Sequence, residues 1–248
     1  MARFGHTPIN LIILHLSPIC IHFRDINYLI LIMTLKNLVI NRIENNKGQI
    51  WTPADFLDLG DSEAVKKALQ RLVNNHELRR IDRGLYDKPR TNALTGQANP
   101  PDYRKVIEAV SRRDQVRILI DGMTCANELG LTNAVPGQVL IHTDGRLRPI
   151  KLNNLIIKFK LTAPSKLYWA DRPGMRIVQS LYWLEDTICS DSEMSSTIKE
   201  KLTALLNNST QKHEICADLR AGLHTLPVWM QKWLREFLFS LEKIKTGK

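Results

Sequence analysis

The apolar and polar positions between residues 34 and 90 follow the spacing of short amphipathic helices. Thr34 is a suitable N-cap for a first helix, whose apolar residues recur at i, i+3, i+4 and i+8: Leu35, Leu38, Val39 and Ile43. A second, short helix is predicted to begin at Thr52 and Pro53, because proline fits the first helical position. Ser62 is predicted to cap a third helix with one apolar face: Val65, Ala68, Leu69, Leu72 and Val73.

The pattern after the third helix is that of a short β-hairpin. Residues 78–81 and 85–86 flank a turn at Gly84. A short helix, a tight turn at Gly60, a basic-faced helix and a basic hairpin are typical of a winged helix-turn-helix, which we predict over residues 33–90. In that fold the third helix enters the major groove of DNA.

The polar face of the third helix and the hairpin supplies candidate DNA-binding residues. Phosphates can be neutralised by five basic side chains, with release of counterions: Lys66, Lys67, Arg79, Arg80 and Arg83. Gln70 and Arg71 are long enough to reach base edges, and Ser62 with the helix N-terminus can hold a phosphate. Two other interpretations stay open, a solvated helix face and a protein-binding module.

Residues 91–101 are polar and contain Pro and Gly, so they are predicted to be a linker. The remaining residues, 102–248, are predicted to form a second domain with a small sheet and C-terminal helices, which makes the fold class α+β. Strands are expected over residues 116–120, 138–142, 148–152 and 155–161. Helices are expected over residues 102–111, 124–129, 174–185, 196–206, 211–223 and 227–245.

The last two strands flank Asn153 and Asn154, so they are predicted to form a hairpin with a two-residue turn. Alternation then places apolar residues on one face and three lysines on the other: Lys151, Lys158 and Lys160. This second basic surface suits DNA beside an operator, RNA or an acidic protein surface. A solvated sheet face, with lysines that protect an edge from pairing, is an equal alternative.

The first 32 residues do not match the rest of the chain. Their apolar stretch is interrupted by Pro18 and by the adjacent charges of Arg24 and Asp25, whereas a membrane span needs about 20 nearly uninterrupted apolar residues. The stretch fits a loosely docked extension, a membrane-proximal helix, or a native chain that begins at Met33. We favour the third interpretation, because the first clear helix starts there, and expect no membrane partner.

The net charge of the chain favours a polyanion as its partner. The chain has 35 Lys and Arg against 25 Asp and Glu, a net charge of +10 and a pI near 9.6, which favours nucleic acid as a partner. Residues 146–176 contain eight basic residues and one acid, and residues 185–218 contain seven acids and three lysines. Such blocks predict a basic face beside an acidic one.

Signals for catalysis or metal binding are weak. The four cysteines lie far apart without CxxC spacing, so we expect no disulfide framework or structural zinc, and a reducing cytoplasm. Phosphate-binding loops, dinucleotide fingerprints, zinc-protease motifs and nucleophile elbows do not occur in the sequence. The chain is therefore expected to have no catalytic residue, metal or cofactor.

Several of these runs are similar to one known family. TPADF (52–56), ALQRL (68–72) and RRIDRGLYDKP (79–89) resemble the N-terminal domain of the AbiEi-like antitoxins of bacterial abortive-infection (type IV) toxin–antitoxin systems. ANELGLTNAVPGQVLIHTDGRLRPIK (126–151) and KFKLTAPSKL (158–167) resemble a branch of the same family. The resemblance covers most of residues 34–190.

This resemblance implies a DNA-binding autorepressor that also neutralises a nucleotidyltransferase-like toxin by stoichiometric binding. The resemblance also implies which positions face DNA. These are the candidates named above, together with Tyr86: Ser62, Lys66, Lys67, Gln70, Arg71, Arg79, Arg80, Arg83 and Tyr86. Operator DNA and such a toxin are the partners that it implies. Two other functions stay open, an interaction module that never touches DNA and an RNA-binding accessory factor that uses the lysine face.

Overall fold

A computed structural model describes residues 34–246 of the chain, with side chains up to residue 242. The predicted apolar extension over residues 1–32 lies outside the described residues. Within the described range, no helix has the length and apolar content that crossing a membrane requires.

The first part of the described chain has the element order that the sequence pattern predicts. Helix α1 (Leu35–Asn45) is followed by a 3-10 helix (Pro53–Phe56), helix α2 (Ser62–Asn74) and the antiparallel strands β1 (Arg79–Asp82) and β2 (Leu85–Asp87). The hydroxyl of Thr34 accepts a hydrogen bond from the Asn37 N–H and so caps α1, as predicted. The second helix is a 3-10 turn rather than an α-helix.

A four-stranded mixed sheet lies in the second part. Helix α3 (Tyr103–Asp114) precedes strand β3 (Leu119–Ile120), helix α4 (Gly122–Glu128) and three strands: β4 (Gln138–Thr143), β5 (Ile150–Leu152) and β6 (Leu155–Leu161). The strand order is β3-β4-β6-β5, with β4 and β6 parallel and the other pairs antiparallel. The predicted strand over residues 116–120 is shorter than expected, because Val116 still donates its N–H to Ser111 at the end of α3.

Five helices complete the described chain, so the fold is α+β with C-terminal helices as predicted. They are α5 (Met175–Trp183), α6 (Glu185–Ser190), α7 (Ser192–Asn207), α8 (Lys212–Gly222) and α9 (Val228–Thr246). The apolar stripe of α9 is buried inside the protein, at Met230, Trp233, Leu234, Phe237, Leu238 and Leu241.

Two hydrophobic cores share the hairpin as a common wall. Trp51 and Tyr86 belong to the smaller core, with α1, α2 and Phe56. Their chain neighbours Ile50 and Leu85 belong to the larger core around the sheet and the C-terminal helices. Because successive side chains of extended backbone point to opposite faces, this short layer is buried on both sides.

The last turn of α3 holds this layer from the other side. Arg113 Nη1 donates to the carbonyl oxygen of Arg83 at 2.5 Å, and Arg112 Nη2 donates to that of Ile50 at 3.2 Å. The tip of the hairpin is therefore fixed against the second part of the protein. The boundaries predicted at residues 90 and 101 stay predictions.

Candidate nucleic-acid interface

The polar face of α2 is exposed along its whole length. Lys66, Lys67, Gln70 and Arg71 all lie on it, opposite the buried Val65, Ala68, Leu69 and Leu72. Lys66 forms an ion pair with Glu63 at 2.8 Å, and the Gln70 amide donates to Asn74 Oδ1 at 2.8 Å. The side chains of Lys67 and Arg71 form no hydrogen bond or ion pair with any other residue that the structure describes, so both are available to a ligand.

The N-terminus of α2 differs from the prediction. Asp61, not Ser62, is the N-cap: its Oδ1 accepts from the N–H groups of Glu63 and Ala64 at 3.0 and 2.9 Å. The prediction is wrong by one residue because Asp61 already satisfies these donors, and Ser62 becomes the first helical residue. The hydrogen bond from Lys66 lowers the pKa of Glu63, which is therefore ionised at neutral pH beside the capping Asp61.

Arg79 does not lie free on the basic hairpin. Its Nε and Nη2 donate to the two carboxylate oxygens of Asp87 at 2.9 and 2.6 Å, and its Nη1 donates to the Asn99 carbonyl at 3.0 Å. The sequence predicts that this guanidinium neutralises a phosphate. The geometry does not support that role, because all three nitrogen atoms already have partners inside the protein.

Tyr86 also departs from its predicted role. It is 7% exposed, lies in the smaller core, and pairs with Trp51 through both backbone hydrogen bonds, at 2.7 and 2.9 Å. The expectation that Tyr86 faces DNA is therefore wrong. Of the four candidates on the hairpin, the exposed side chains are those of Arg80 and Arg83.

The lysines of the second basic surface share one face of the sheet, as predicted. Lys151, Lys158 and Lys160 are exposed, whereas the alternate residues Ile150, Leu152 and Ile157 are buried. Lys151 is the register partner of Ile156, and Lys160 is that of His142 on the parallel strand β4. We call this surface, formed by the outward residues of β4, β5 and β6, the lysine face.

The charge of the lysine face is not compensated locally. No acidic residue occurs between Gly145 and Ala170. Six basic residues occur there, and none forms an ion pair within residues 34–242: Arg146, Arg148, Lys151, Lys158, Lys160 and Lys166. The two later arginines of the basic block are different, because Arg172 pairs with Asp218 and Arg176 with Glu128.

A cleft of about 490 Å³ lies where the lysine face meets α5 and the segment after β6. Aromatic rings of Tyr168, Trp169 and Tyr182 line it, and Tyr182 is 39% exposed. Burial, and then the charge of Glu185, raise the pKa of Tyr182, so its hydroxyl is protonated at neutral pH. The cleft brings together residues from β3, β4 and α5 that lie far apart in the sequence, so no local pattern predicts it.

His142 connects the cleft to the lysine face. Its Nδ1 lies 3.1 Å from Thr162 Oγ1, and that hydroxyl donates its own hydrogen to the Lys160 carbonyl at 3.2 Å. On the basis of this hydrogen bond we assign the ring proton to Nδ1, as the donor to the hydroxyl, which makes Nε2 the acceptor. Burial, and then the charge of Lys160, lower the pKa of His142, so the imidazole is neutral at pH 7.

The hydrogen-bond network around Glu128 has a structural role. The carboxylate of Glu128 is 4% exposed and accepts from Tyr103 Oη at 2.6 Å, Arg104 Nε at 2.9 Å and Arg176 Nε at 2.8 Å. Burial alone raises the pKa of Glu128, but these three hydrogen bonds outweigh it and hold the pKa below its ordinary value. The network joins α3, α4 and α5. Among the described residues, no group of three or more His, Cys, Asp and Glu side chains is placed to hold a metal ion.

Comparison with known protein families identifies a family whose model covers most of the chain. A family described as a family of unknown function, DUF6088, matches residues 38–214, which is more than half of the chain and extends from α1 into α8. No curated protein matches the chain.

Proposed function

The chain belongs to the DUF6088 family, whose function is unknown, and we propose from its geometry that it binds operator DNA as an antitoxin-like transcriptional autorepressor. The observation that supports this most directly is the pair Lys67 and Arg71. They lie one turn apart on α2, exposed and without partners among the described residues. Because the opposite face of α2 is buried, both side chains point toward solvent.

Residues 35–87 are proposed to be a winged helix. This assignment is supported by the order of the elements, which is a helix, a short extended segment, a 3-10 turn, a second helix and a hairpin. The backbone of Trp51, which follows the first helix, forms an isolated antiparallel bridge with Tyr86 of β2, in the place of a short third strand. In that arrangement α2 corresponds to the helix that enters the major groove.

We propose different roles for the basic and polar side chains of α2 and the hairpin. Lys66, Lys67, Arg80 and Arg83 contact phosphates, because a flexible ammonium or guanidinium group gains from counterion release without precise geometry. Gln70 and Arg71 reach base edges, where an amide pairs with adenine and a guanidinium with guanine. Asp61 and Glu63 repel phosphate at the start of the helix, so we place the contact surface on its middle and last turns.

A gel-shift titration tests this proposal, with a duplex of the chain's own upstream region as the probe and unrelated duplex as competitor. We expect Lys67→Ala with Arg71→Ala to weaken specific binding by at least about tenfold. Lys67→Ala alone is expected to reduce the salt slope of log K by about 0.9, the value for one phosphate contact.

The matched control is Lys232→Ala with Arg235→Ala, which removes the same two charges from the exposed face of α9. We expect it to bind as the wild type does. Undiminished specific binding by the α2 variant would refute the groove assignment, and the absence of specific binding by the wild type would favour the interaction module that does not touch DNA.

The second half of the proposal is neutralisation of a nucleotidyltransferase-like toxin by stoichiometric binding. Its support is the resemblance of residues 126–151 and 158–167 to a branch of the AbiEi-like antitoxins. The neighbouring gene tests it: its product is expected to be nucleotidyltransferase-like and to co-purify with this chain. A gene without such a neighbour contradicts this half and leaves a solitary DNA-binding regulator.

A further inference from the structure

The lysine face and the cleft beside it form one continuous surface. Lys158 and Lys160 stand two residues apart on β6, a separation of about 6–7 Å along a strand. Lys151 lies on the neighbouring strand β5, and the partner of Lys160 on the other side is His142, which lines the cleft. A bound polymer that extends along the lysines toward β4 therefore reaches the cleft.

Charge decides the general class of the partner. Of the six basic residues between Gly145 and Ala170, Lys151, Lys158 and Lys160 lie on the lysine face and Lys166 lines the cleft, and none of these four forms an ion pair with the described part of the chain. A surface with this much uncompensated positive charge is complementary to a polyanion. Nucleic acid supplies such charge at regular spacing along its backbone.

The cleft decides between a duplex and a single strand. The bases of a duplex are stacked inside the helix, so none of them enters a cleft in the protein surface. An unpaired base can enter, and it stacks on aromatic side chains whatever its identity. Tyr182 provides a partly exposed ring at the cleft wall. Tyr168 also lines the cleft, and the Arg172 guanidinium lies 4.5 Å from the centre of its ring.

His142 favours RNA over DNA. With Nδ1–H donated to Thr162, its Nε2 is an acceptor in a neutral ring beside Lys160. A ribose 2′-hydroxyl is a donor that deoxyribose does not have. The hydroxyl of Ser165 and the amide of Gln179 add further hydrogen-bonding groups to the cleft lining.

We propose that the lysine face binds single-stranded RNA, with the backbone phosphates on Lys151, Lys158 and Lys160 and one unpaired base in the cleft against Tyr182. This site is separate from the α2 surface and does not depend on operator binding. His142 accepts a hydrogen bond from the ribose of that nucleotide and determines the preference for RNA.

Fluorescence anisotropy with the full chain tests the site. The probes are a labelled 12-nucleotide single-stranded RNA of mixed sequence, the DNA strand of the same sequence, and heparin as a polyanion without bases. We expect the RNA to bind at least about tenfold more tightly than the DNA strand. The triple variant Lys151→Ala, Lys158→Ala and Lys160→Ala is expected to reduce the slope of log K against log salt concentration by about 2. This is the value for three phosphate contacts at roughly 0.7 each on a single strand.

Two further variants separate stacking and ribose recognition from charge. Tyr182→Ala weakens RNA binding by about tenfold with an unchanged salt slope, and Tyr182→Phe, which keeps the ring, binds as the wild type does. His142→Leu reduces the affinity for RNA to that for the DNA strand. Equal binding of RNA and heparin, or wild-type RNA binding by Tyr182→Ala, overturns the proposal in favour of a generic polyanion surface.

The α2 variant is the control that separates this site from the proposed operator site. Lys67→Ala with Arg71→Ala keeps full RNA binding, and the triple lysine variant keeps specific duplex binding. RNA binding that is lost in the α2 variant instead overturns the placement of the RNA on the lysine face. Loss of duplex specificity in both variants contradicts the separation of the two sites.

Discussion

Arg79 and Asp87 are register partners across the hairpin and form a bidentate ion pair, Nε to Oδ1 at 2.9 Å and Nη2 to Oδ2 at 2.6 Å. The Asp87 carboxylate is 8% exposed. Arg79 also donates to the carbonyl of Asn99 and so ties the segment over residues 91–101 to β1. This arginine therefore stabilises the hairpin, although its sequence context is that of a basic patch.

Removal of the Arg79 side chain is expected to lower the free energy of unfolding by about 2–4 kcal/mol, because it leaves a buried carboxylate unpaired. Arg79→Lys restores only part of this, since an ammonium group cannot form the bidentate pair. Urea denaturation measures both changes. Arg80→Ala is the control on the exposed side of the same strand, and it is expected to change stability by about 0.5 kcal/mol or less; equal losses in the two alanine variants would contradict the role of the pair.

Asp61 is expected to stabilise α2 while it weakens DNA binding. Asp61→Ala loses the N-cap and about 1 kcal/mol of unfolding free energy, whereas Asp61→Ser keeps a capping oxygen and most of the stability. Because both changes remove a negative charge close to the proposed phosphate contacts, affinity for the upstream duplex is expected to rise by about two- to fivefold at low salt.

Thermal denaturation and gel shift measure these two effects independently. The two variants differ in stability but share the charge change, so they control for each other. Weaker duplex binding by a stable Asp61→Ser protein would contradict the docking of α2 in the groove.

Glu128 is expected to make stability depend on acid pH. Its pKa is lowered in the folded protein from an ordinary value near 4.5. The stabilisation is therefore fully present above about pH 5 and is lost as the pH falls through the lower folded pKa. Glu128→Gln is expected to lower the unfolding free energy at pH 7 by about 1–3 kcal/mol, since the hydrogen bond to Tyr103 is kept but two arginines lose a charged partner.

Urea titrations at pH 7 and pH 3.5 check this prediction. The wild type and the variant are expected to differ less at pH 3.5 than at pH 7. Glu200→Gln, on the exposed face of α7, is the control for loss of a carboxylate. A difference that grows as the pH falls would have the wrong sign for a carboxylate with a lowered pKa.

Gly222, the last residue of α8, is expected to tolerate no side chain, although glycine is a poor helix former. Alanine normally stabilises a helix interior relative to glycine by about 1 kcal/mol. A Cβ at Gly222 would stand 2.3 Å from Cη2 of Trp169, whose ring is buried and whose Nε1 donates to Thr225. Overpacking of this kind costs about 1–3 kcal/mol or more.

Thermal denaturation of Gly222→Ala is therefore expected to show a lower midpoint than the wild type. Gly137→Ala is the matched control, since a Cβ there meets no atom within 4 Å. A Gly222→Ala protein as stable as the Gly137→Ala protein would show that Trp169 can move aside at no cost.

Local patterns in the sequence predicted most of the elements. The stripe on α2, the cap at Thr34 and the hairpin around Asn153 depend on residues within a few positions of each other, so periodicity is enough to find them. The faces of β5 and β6 follow for the same reason, because alternation together with a two-residue turn determines which side chains share a side. This is why the three lysines were placed together correctly.

The sequence alone therefore determined the positions of most helices and hairpins and which residues are charged. Tertiary structure decided which charges have partners: Arg79 has the buried Asp87, whereas Lys67 and Arg71 have no partner within the described range. It also buried Tyr86 in the smaller core and brought β3, β4 and α5 together around the cleft. The physical reason is that ion pairing, burial and cleft formation depend on contacts between residues distant in the chain, and hydrophobic periodicity contains no record of those contacts.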